Sequence, residues 1–410
     1  MKAKSIGGKP LAWLLTAVYF ASYVTRINFA AIIQEIVTDM GYEKAALSVV
    51  LVVISITYGV GQIINGRLGD KIPPDIMILI GLVVSTVANL LFPLFIDSIP
   101  VMAVLWGING FAQAMMWPPM VKILVSATDS DTYNYAVVRV SWGSSIGTIF
   151  VYLTAPLIIS LVGWRAVFYA SAIVGGGMAV IWQLLRGRID SDMTEKECEK
   201  EEEPAAPTDL HFPRKAVFPI AFIASAIVFQ GMLRDGISSW MPTYLSEVFH
   251  LNNETSILLT VSLAVFSIIA FAVAGAAYKR YFKNEVTLGG VIFAISAVAS
   301  LLLYLMFDFG IALTVLLMML INGCMHGINL MLITHVPKRF KKYGGISTIS
   351  GLINSCTYIG AAISTYGIAL LSESVGWRGT IGVWFIIATL GAACCFVAAA
   401  PWKRFSTANQ

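Results

Sequence analysis

The sequence predicts an all-α membrane protein whose twelve transmembrane helices form two pseudo-symmetric six-helix bundles, and three observations support this fold class. The 410-residue chain is 58% hydrophobic and only 12% charged, whereas soluble domains are about 45–50% apolar and about 25% charged. Apolar runs of about 20 residues, long enough to cross a bilayer as a helix, recur throughout the chain. Several short motifs of the first half recur in the second half.

The apolar runs are assigned to helices, because a β-barrel strand shows weak alternation and not a long unbroken apolar run. The predicted spans are 11–33, 45–66, 76–96, 100–121, 134–158, 164–185, 216–244, 255–278, 286–306, 309–334, 345–371 and 377–400. The first run follows a basic start, as in a signal peptide, but it has no small-residue cleavage site and continues into Arg26 and Asn28. We therefore retain it as the first helix.

The positive charges predict the orientation. When alternate loops are assigned to opposite faces, only Lys44, Arg165 and Arg378 fall on one face, and all the other lysines and arginines outside the spans fall on the opposite face. The positive-inside rule then places both termini in the cytoplasm, so we expect a multi-pass protein of the cell (inner) membrane. Short basic loops tethered to membrane helices do not indicate nucleic-acid binding.

The predicted organisation is an N-terminal bundle over 1–185, a cytoplasmic linker over 186–215 and a C-terminal bundle over 216–410. The linker is the longest polar segment and contains an acidic run. The two bundles share motifs at a nearly constant offset, which indicates a duplicated bundle. The matching motifs are Arg26 with Arg234, Gly66 with Gly275, Ile108-Asn109-Gly110 with Ile321-Asn322-Gly323, and Gly163-Trp164-Arg165 with Gly376-Trp377-Arg378.

Arg26 and Arg234 each lie well inside an apolar run. An arginine stays protonated, and placing one near the bilayer centre costs about 2.5–3.5 kcal/mol even on insertion scales. Two such residues at matching positions predict a central site for an anion, since a guanidinium offers a planar fork of donors that suits phosphate oxygens. The alternative is a structural role, in which the arginines pair with Asp235 or with backbone carbonyls.

The loop after the second helix resembles the front half of the major facilitator signature, and it reads Gly66-Arg67-Leu68-Gly69-Asp70-Lys71. In that signature the aspartate caps a helix or forms a pair across a cytoplasmic contact. We therefore assign Asp70 and Lys71 to conformational gating, with a simple loop-anchoring ion pair as the alternative. The trailing basic residues of the signature are replaced here by Pro73, Pro74 and Asp75.

Further motifs resemble the organophosphate:inorganic phosphate antiporter family of the major facilitator superfamily. They are Tyr19-Phe20-Ala21-Ser22-Tyr23-Val24-Thr25-Arg26-Ile27-Asn28-Phe29, Ser55-Ile56-Thr57-Tyr58-Gly59, Trp106-Gly107-Ile108-Asn109-Gly110, Trp117-Pro118-Pro119, Leu233-Arg234-Asp235-Gly236-Ile237 and Trp240-x-Pro242-Thr243-Tyr244-Leu245. The resemblance implies the major facilitator fold, alternating access, and Arg26 and Arg234 as the substrate-binding arginines of the first and seventh helices.

Tyrosines extend the candidate site. Tyr19 and Tyr23 precede Arg26 by seven and three residues, which puts them on roughly its helix face. Tyr58 and Tyr358 resemble pocket tyrosines of the family. Packing or an interfacial position is the alternative for each tyrosine.

Two departures from the family bear on the substrate. Gln62 and Ser144 align with a lysine and a histidine that assist the anion in the glycerol-3-phosphate transporter. Because both residues are uncharged here, we expect a different or bulkier anion than glycerol 3-phosphate.

The remaining candidates each have two interpretations. Asp235 is assigned to coupling as a protonatable group, or it forms a permanent salt bridge with Arg234. His326 either faces the substrate cavity or bonds to a neighbouring helix. Trp142 is the tryptophan expected to reach substrate, with helix packing as the alternative. Arg139 is assigned to gating, or its long stem carries its charge to the membrane surface.

We therefore expect a monomeric secondary transporter that exchanges a phosphorylated metabolite for inorganic phosphate across the lipid bilayer. No enzyme, metal or cofactor is expected, because the sequence shows no metal-ligand cluster, no Ser/His/Asp arrangement and no phosphate-cradling glycine loop. Two alternatives stay open: a proton-coupled carrier of a sugar acid or other organic anion, and a membrane sensor of a sugar phosphate.

Overall fold

The computed structural model describes residues 6–189, 212–251, 253–307 and 309–407. Within them, twelve helical segments are long and apolar enough to cross a membrane, so the chain is a multi-pass membrane protein. The predicted all-α fold class is confirmed. Most of the predicted linker, residues 190–211, lies outside the described residues.

The helices follow the order of the predicted spans. They are α1 (Gly8–Met40), α2 (Lys44–Lys71), α3 (Pro74–Leu91), α4 (Ile99–Gln113), α5 (Trp117–Ala127), α6 (Ser130–Val162), α7 (Arg165–Leu185), α8 (Arg214–Phe249), α9 (Asn253–Arg280), α10 (Glu285–Leu305), α11 (Ile311–Ile328), α12 (Val336–Lys338) and α13 (Ile346–Thr407). The fourth span joins α4 to α5. The tenth span continues from α11 through a π-helix at Asn329–His335, and α13 supplies the last two spans.

The two Gly-Trp-Arg motifs form corners. Gly163 separates α6 from α7 with φ 94°, and Gly376 interrupts α13 with φ 70°. Side chains strain a backbone at positive φ, and glycine adopts it readily. The repeated motif thus marks the same event in each half, the turn from the fifth membrane helix into the sixth.

Contacts divide the chain into two compact units. The first comprises Met1–Leu210 together with Tyr343–Leu352, and the second comprises His211–Lys342 together with Ile353–Gln410. The beginning of α13 therefore groups with the first unit, although it lies in the predicted C-terminal bundle.

In the first unit, α1 packs closely along α6. A Cβ at Gly143 would meet Tyr19 and the main chain around it, and one at Gly147 would meet Tyr23. These small residues let the helix backbones approach, as membrane helix interfaces require. The crossing lies on the part of α1 that leads up to Arg26.

The second unit has a comparable crossing between α8 and α13. A Cβ at Gly231 would meet the main chain of Thr357, and a Cβ at Gly360 would meet the main chain of Val228. The two backbones are therefore in contact less than one turn before Arg234. In each unit a glycine-mediated crossing fixes the helix that carries the membrane arginine.

Candidate functional site

Arg26 lies in the middle of α1, and its guanidinium is stacked on two tyrosine rings. The guanidinium carbon lies 4.2 Å from the ring centroid of Tyr23 and 4.8 Å from that of Tyr58. The ring of Tyr19 lies 5.1 Å from that of Tyr23 and 4.9 Å from that of Trp117. A cation–π stack engages the face of a guanidinium, whereas its N–H donors lie in the plane of the group.

Buried amides hold the main chain immediately before this arginine. Asn89 Nδ2 and Asn109 Nδ2 both donate to the carbonyl oxygen of Thr25, at 2.9 and 3.0 Å. Gln113 Nε2 donates to Thr25 Oγ1 at 2.9 Å. Because these amides come from α3 and α4, the turn of α1 that carries the arginine is fixed by two other helices.

Arg234, in the middle of α8, is paired with a carboxylate. Its Nε and Nη2 lie 3.0 and 2.9 Å from the two carboxylate oxygens of Asp235, so both oxygens are engaged. Asn322 Nδ2 donates to the main-chain oxygen of Arg234 at 3.2 Å and to Ser238 Oγ at 2.8 Å. The pairing of Arg234 with Asp235, which the sequence left open as an alternative, is therefore present.

In both units, the asparagine of the repeated Ile-Asn-Gly motif bonds to the main chain next to the arginine, one residue apart in the two cases. Asn109 bonds to the carbonyl of the residue before Arg26, and Asn322 bonds to the carbonyl of Arg234 itself. The sequence shows that the motif is repeated, but not which carbonyl each asparagine would reach. In each unit, the asparagine of the repeat therefore bonds to the helix turn that carries the arginine.

His326 and Tyr358 belong to the second unit. His326 lies one turn beyond Asn322 on α11, and its ring packs 5.2 Å from that of Phe271. Tyr358 is half-buried on α13, next to Thr357, whose hydroxyl donates to Gln230 Oε1 at 3.4 Å.

The other predicted substrate residues lie in the first unit. Gln62 is fully buried on α2, one turn after Tyr58, and neither of its amide atoms has a hydrogen-bond partner in the described part of the chain. Ser144 donates to the carbonyl oxygen of Ser141 in its own helix at 2.7 Å. The ring of Trp142 lies 3.8 Å from the guanidinium carbon of Arg139.

The predicted gating aspartate caps a helix. The carboxylate of Asp70 accepts hydrogen bonds from the backbone N–H groups of Ser347 and Thr348, at 3.0 and 2.8 Å. These are the second and third residues of α13, where unpaired amides favour a capping carboxylate. Lys122 Nζ donates to the main-chain oxygens of Gly69 and Asp70 at 2.9 and 3.2 Å, whereas Lys71 is exposed at the end of α2.

Each corner tryptophan is bonded to an acid that the sequence analysis missed. Trp164 Nε1 donates to Asp39 Oδ2 at 2.9 Å, and Trp377 Nε1 donates to Glu247 Oε2 at 2.7 Å. Asp39 follows Arg26 by thirteen residues on α1, and Glu247 follows Arg234 by thirteen residues on α8. The equal spacing is the signal that could have revealed the pair.

A metal centre is not apparent in the part of the chain that the structure describes, since it contains no group of three or more His, Cys, Asp and Glu side chains close enough to hold an ion.

Comparisons with known proteins bear on the family of the chain. Residues 15–365 match the sequence pattern of the Major Facilitator Superfamily. The chain is 24% identical to the probable hexose phosphate transport protein of Chlamydia trachomatis, over 93% of this chain and 87% of that protein. It is 26% identical to the glycerol-3-phosphate transporter of Bacillus subtilis, over 88% and 85%.

Two more distant likenesses are informative. The membrane sensor protein UhpC of Salmonella typhimurium is 23% identical over 93% of this chain and 88% of the sensor. The crystal structure of a bacterial homologue of the iron transporter ferroportin, in an outward-facing state, matches with a TM-score of 0.69 over 97% of this chain and 99% of that chain. At 10% identity, this structural likeness shows the fold alone.

Proposed function

This chain belongs to the Major Facilitator Superfamily, and from that premise we propose that it exchanges a phosphorylated small metabolite for inorganic phosphate by alternating access. The observation that carries the proposal is the stacked guanidinium of Arg26, 4.2 Å from the Tyr23 ring and 4.8 Å from the Tyr58 ring. The hexose-phosphate and glycerol-3-phosphate relatives support the same class of cargo.

The physical argument begins with the energy of the charge. A guanidinium in the middle of a membrane helix is unfavourable, and the two tyrosine rings recover part of that energy through its face. Its in-plane donors match the oxygens of a phosphoryl group, which can accept two parallel N–H bonds. We propose that the phosphoryl group binds these donors, with the hydroxyls of Tyr19, Tyr23 and Tyr58 completing the contacts.

The second arginine differs from the first in its partner. Asp235 engages two nitrogens of Arg234, so a phosphate oxygen that binds there competes with a carboxylate. Arg234 and Asp235 together carry no net formal charge, so the pair attracts an anion less than an arginine alone would. We propose that Arg234 binds the same class of anion more weakly, and that Asp235 speeds its release.

The orientation and partners complete the proposal. The charge asymmetry of the loops supports cytoplasmic termini in an inner membrane. The cargo is one organic phosphate in one direction and one inorganic phosphate in the other, carried by a monomer that needs no cofactor. Tyr358, Gln62, Ser144 and His326 are proposed to adjust which organic group fits.

The decisive experiment is counterflow in liposomes that contain the purified full-length protein. Unlabelled inorganic phosphate inside should drive uptake of labelled phosphate without a proton gradient, and external hexose phosphate or glycerol phosphate should compete. A panel of carboxylated metabolites should not compete. The proposal is wrong if labelled phosphate does not accumulate under these conditions.

The same preparation separates the two alternatives. A proton-coupled carrier of organic anions would take up a sugar acid, and an uncoupler would abolish that uptake. A sensor, the role named for one relative, would bind a sugar phosphate saturably without sustained turnover.

A further inference from the structure

Arg139 on α6 is held in the same way as Arg26. Its guanidinium carbon lies 3.8 Å from the ring centroid of Trp142, 4.9 Å from that of Tyr135 and 6.0 Å from that of Trp13. Two of these rings belong to α6 and the third belongs to α1. Three aromatic faces thus surround one guanidinium, whose Nε is buried without a hydrogen-bond partner among the described residues.

Four other arginines of the described residues are paired with carboxylates. Within 4 Å of a carboxylate oxygen lie Arg165 at Asp39, Arg186 at Asp75, Arg234 at Asp235 and Arg339 at Glu285. No such ion pair is found for Arg139 in the part of the chain that the structure describes. Its aromatic neighbours orient the guanidinium but leave its positive charge in place.

The register between α1 and α6 locates this group along the membrane. Gly147 lies against Tyr23 and Gly143 lies against Tyr19, so the two helices run in the same direction. Arg139 is then level with Trp13, thirteen residues before Arg26 on α1, or about 20 Å along the helix axis. Tyr19 and Tyr23 lie between the two arginines.

A second cation stands on the N-terminal side of this cluster. Lys9 Nζ lies 5.6 Å from the ring centroid of Tyr135, the same ring that Arg139 contacts. Along the direction of α1, the first unit therefore presents a series of groups that starts with a lysine and ends with an arginine. In order, they are Lys9, Arg139 of the neighbouring α6, Tyr19, Tyr23 and Arg26. Each cation raises the local concentration of anions.

We propose that Arg139, held by Trp13, Tyr135 and Trp142 and assisted by Lys9, is a second anion-binding station. A phosphoryl group occupies it on the way between Arg26 and the side of the membrane that holds the N-terminus. The inference rests on the proposed function and adds a site to it. The station binds inorganic phosphate or a phosphomonoester through the in-plane donors of Arg139.

The test is a comparison of the two faces of the transporter. In liposomes of known sidedness, Arg139→Gln should raise the concentration of inorganic phosphate that half-saturates exchange on the N-terminal face by about tenfold, the loss of one charge-assisted contact. The value on the opposite face should stay within about twofold of the wild type. Arg139→Lys, which keeps the charge, should show a smaller shift.

The matched control is Arg186→Gln, which removes one positive charge from an arginine already paired with Asp75. It should leave both half-saturation values unchanged. The station would be overturned if Arg139→Gln changed the half-saturating phosphate concentration equally on both faces, or on neither face.

A binding measurement separates this inference from the transport proposal. Phosphate added to the detergent-solubilised Arg26→Gln protein should still change tryptophan fluorescence, because Trp142 is stacked on Arg139. The signal should vanish in the Arg26→Gln/Arg139→Gln and Arg26→Gln/Trp142→Phe proteins. If the Arg26→Gln protein binds phosphate in this assay but the wild type never exchanges it, the exchange function is refuted and the station is kept, whereas a silent Arg26→Gln protein would refute the station alone.

Discussion

At the scale of single residues, the two membrane arginines have unlike environments. Arg26 rests on tyrosine rings, and Arg234 is bound at two nitrogens by Asp235. Equivalent positions in the two halves therefore have different neighbours: aromatic rings lie on the face of the first guanidinium, and a carboxylate binds the edge of the second.

Arg26→Lys should impair transport although the charge is kept. An ammonium is a point charge that cannot present two parallel donors to a phosphate. We expect phosphate counterflow to fall by about 10–150-fold, equivalent to the 1.5–3 kcal/mol of one hydrogen bond to a charged group. Arg165→Lys, at an exposed pair near a corner, serves as the control. Normal counterflow in Arg26→Lys would contradict the assigned role.

Asp235→Asn should strengthen phosphate binding and slow its release. Removing the carboxylate charge leaves Arg234 with a neutral neighbour, so a phosphate oxygen no longer displaces an anion. We expect a half-saturating phosphate concentration that is several-fold lower, with a reduced maximal rate of exchange. Weaker binding in this variant would instead support a structural salt bridge that positions Arg234.

The sequence singles out the arginines as candidates because a charge within an apolar run is unusual. It could not identify their supports, since Asn89, Asn109 and Gln113 are ordinary polar residues until folding brings them to Thr25. These contacts join residues that are more than sixty positions apart. Helical spacing correctly grouped Tyr19 and Tyr23, because that relation is local.

At the scale of elements, the arginine-bearing helices are anchored at their far ends. The corner tryptophans bond to Asp39 on α1 and to Glu247 on α8, each thirteen residues beyond the arginine. We expect this anchor to limit rotation and sliding of the helix, and so to keep the guanidinium in register with its partners.

Trp164→Phe and Trp377→Phe test these anchors. Each change removes the indole donor, keeps an aromatic ring, and leaves a carboxylate without that bond, at a cost of about 1 kcal/mol. We expect the Tm in detergent to fall by about 1–2 °C and the maximal exchange rate to fall several-fold. Trp106→Phe is the control, because its indole N–H has no hydrogen-bond partner among the described residues.

The lengths of the elements show what hydropathy can and cannot predict. The first span was predicted over 11–33, but α1 extends over Gly8–Met40. Hydropathy measures the apolar thickness that a helix crosses, whereas the helix itself continues into polar surroundings as far as its Gly41 C-cap. The π-helix at Asn329–His335 was also beyond prediction, because π-helical segments arise from local packing and have no simple sequence period.

At the scale of the whole molecule, the helix cap made by Asp70 bears on conformational exchange. Alternating access requires two conformations of similar free energy. A contact that forms in only one of them changes the ratio of their populations. Asp70 holds two amides at the start of α13, which suits such a contact.

Asp70→Ala should change the rate of exchange more than the affinity for phosphate. The loss of both hydrogen bonds and of a negative charge at a helix N-terminus alters the balance between conformations by about 1–2 kcal/mol. We expect a several-fold lower maximal rate, with phosphate binding to solubilised protein within about twofold of wild type. Asp70→Asn, which keeps one acceptor, should be intermediate. A variant with wild-type exchange would remove Asp70 from gating.

The composition of the first unit has a consequence for expressing the chain in two pieces. Because residues Tyr343–Leu352 group with that unit, a gene split within 190–211 would encode an N-terminal fragment that lacks ten of its own residues. Such a fragment would have no amides of Ser347 and Thr348 to meet Asp70. Co-expression of the second fragment should supply these two amides again. We therefore expect the two fragments to accumulate when they are made together and to be degraded when they are made separately.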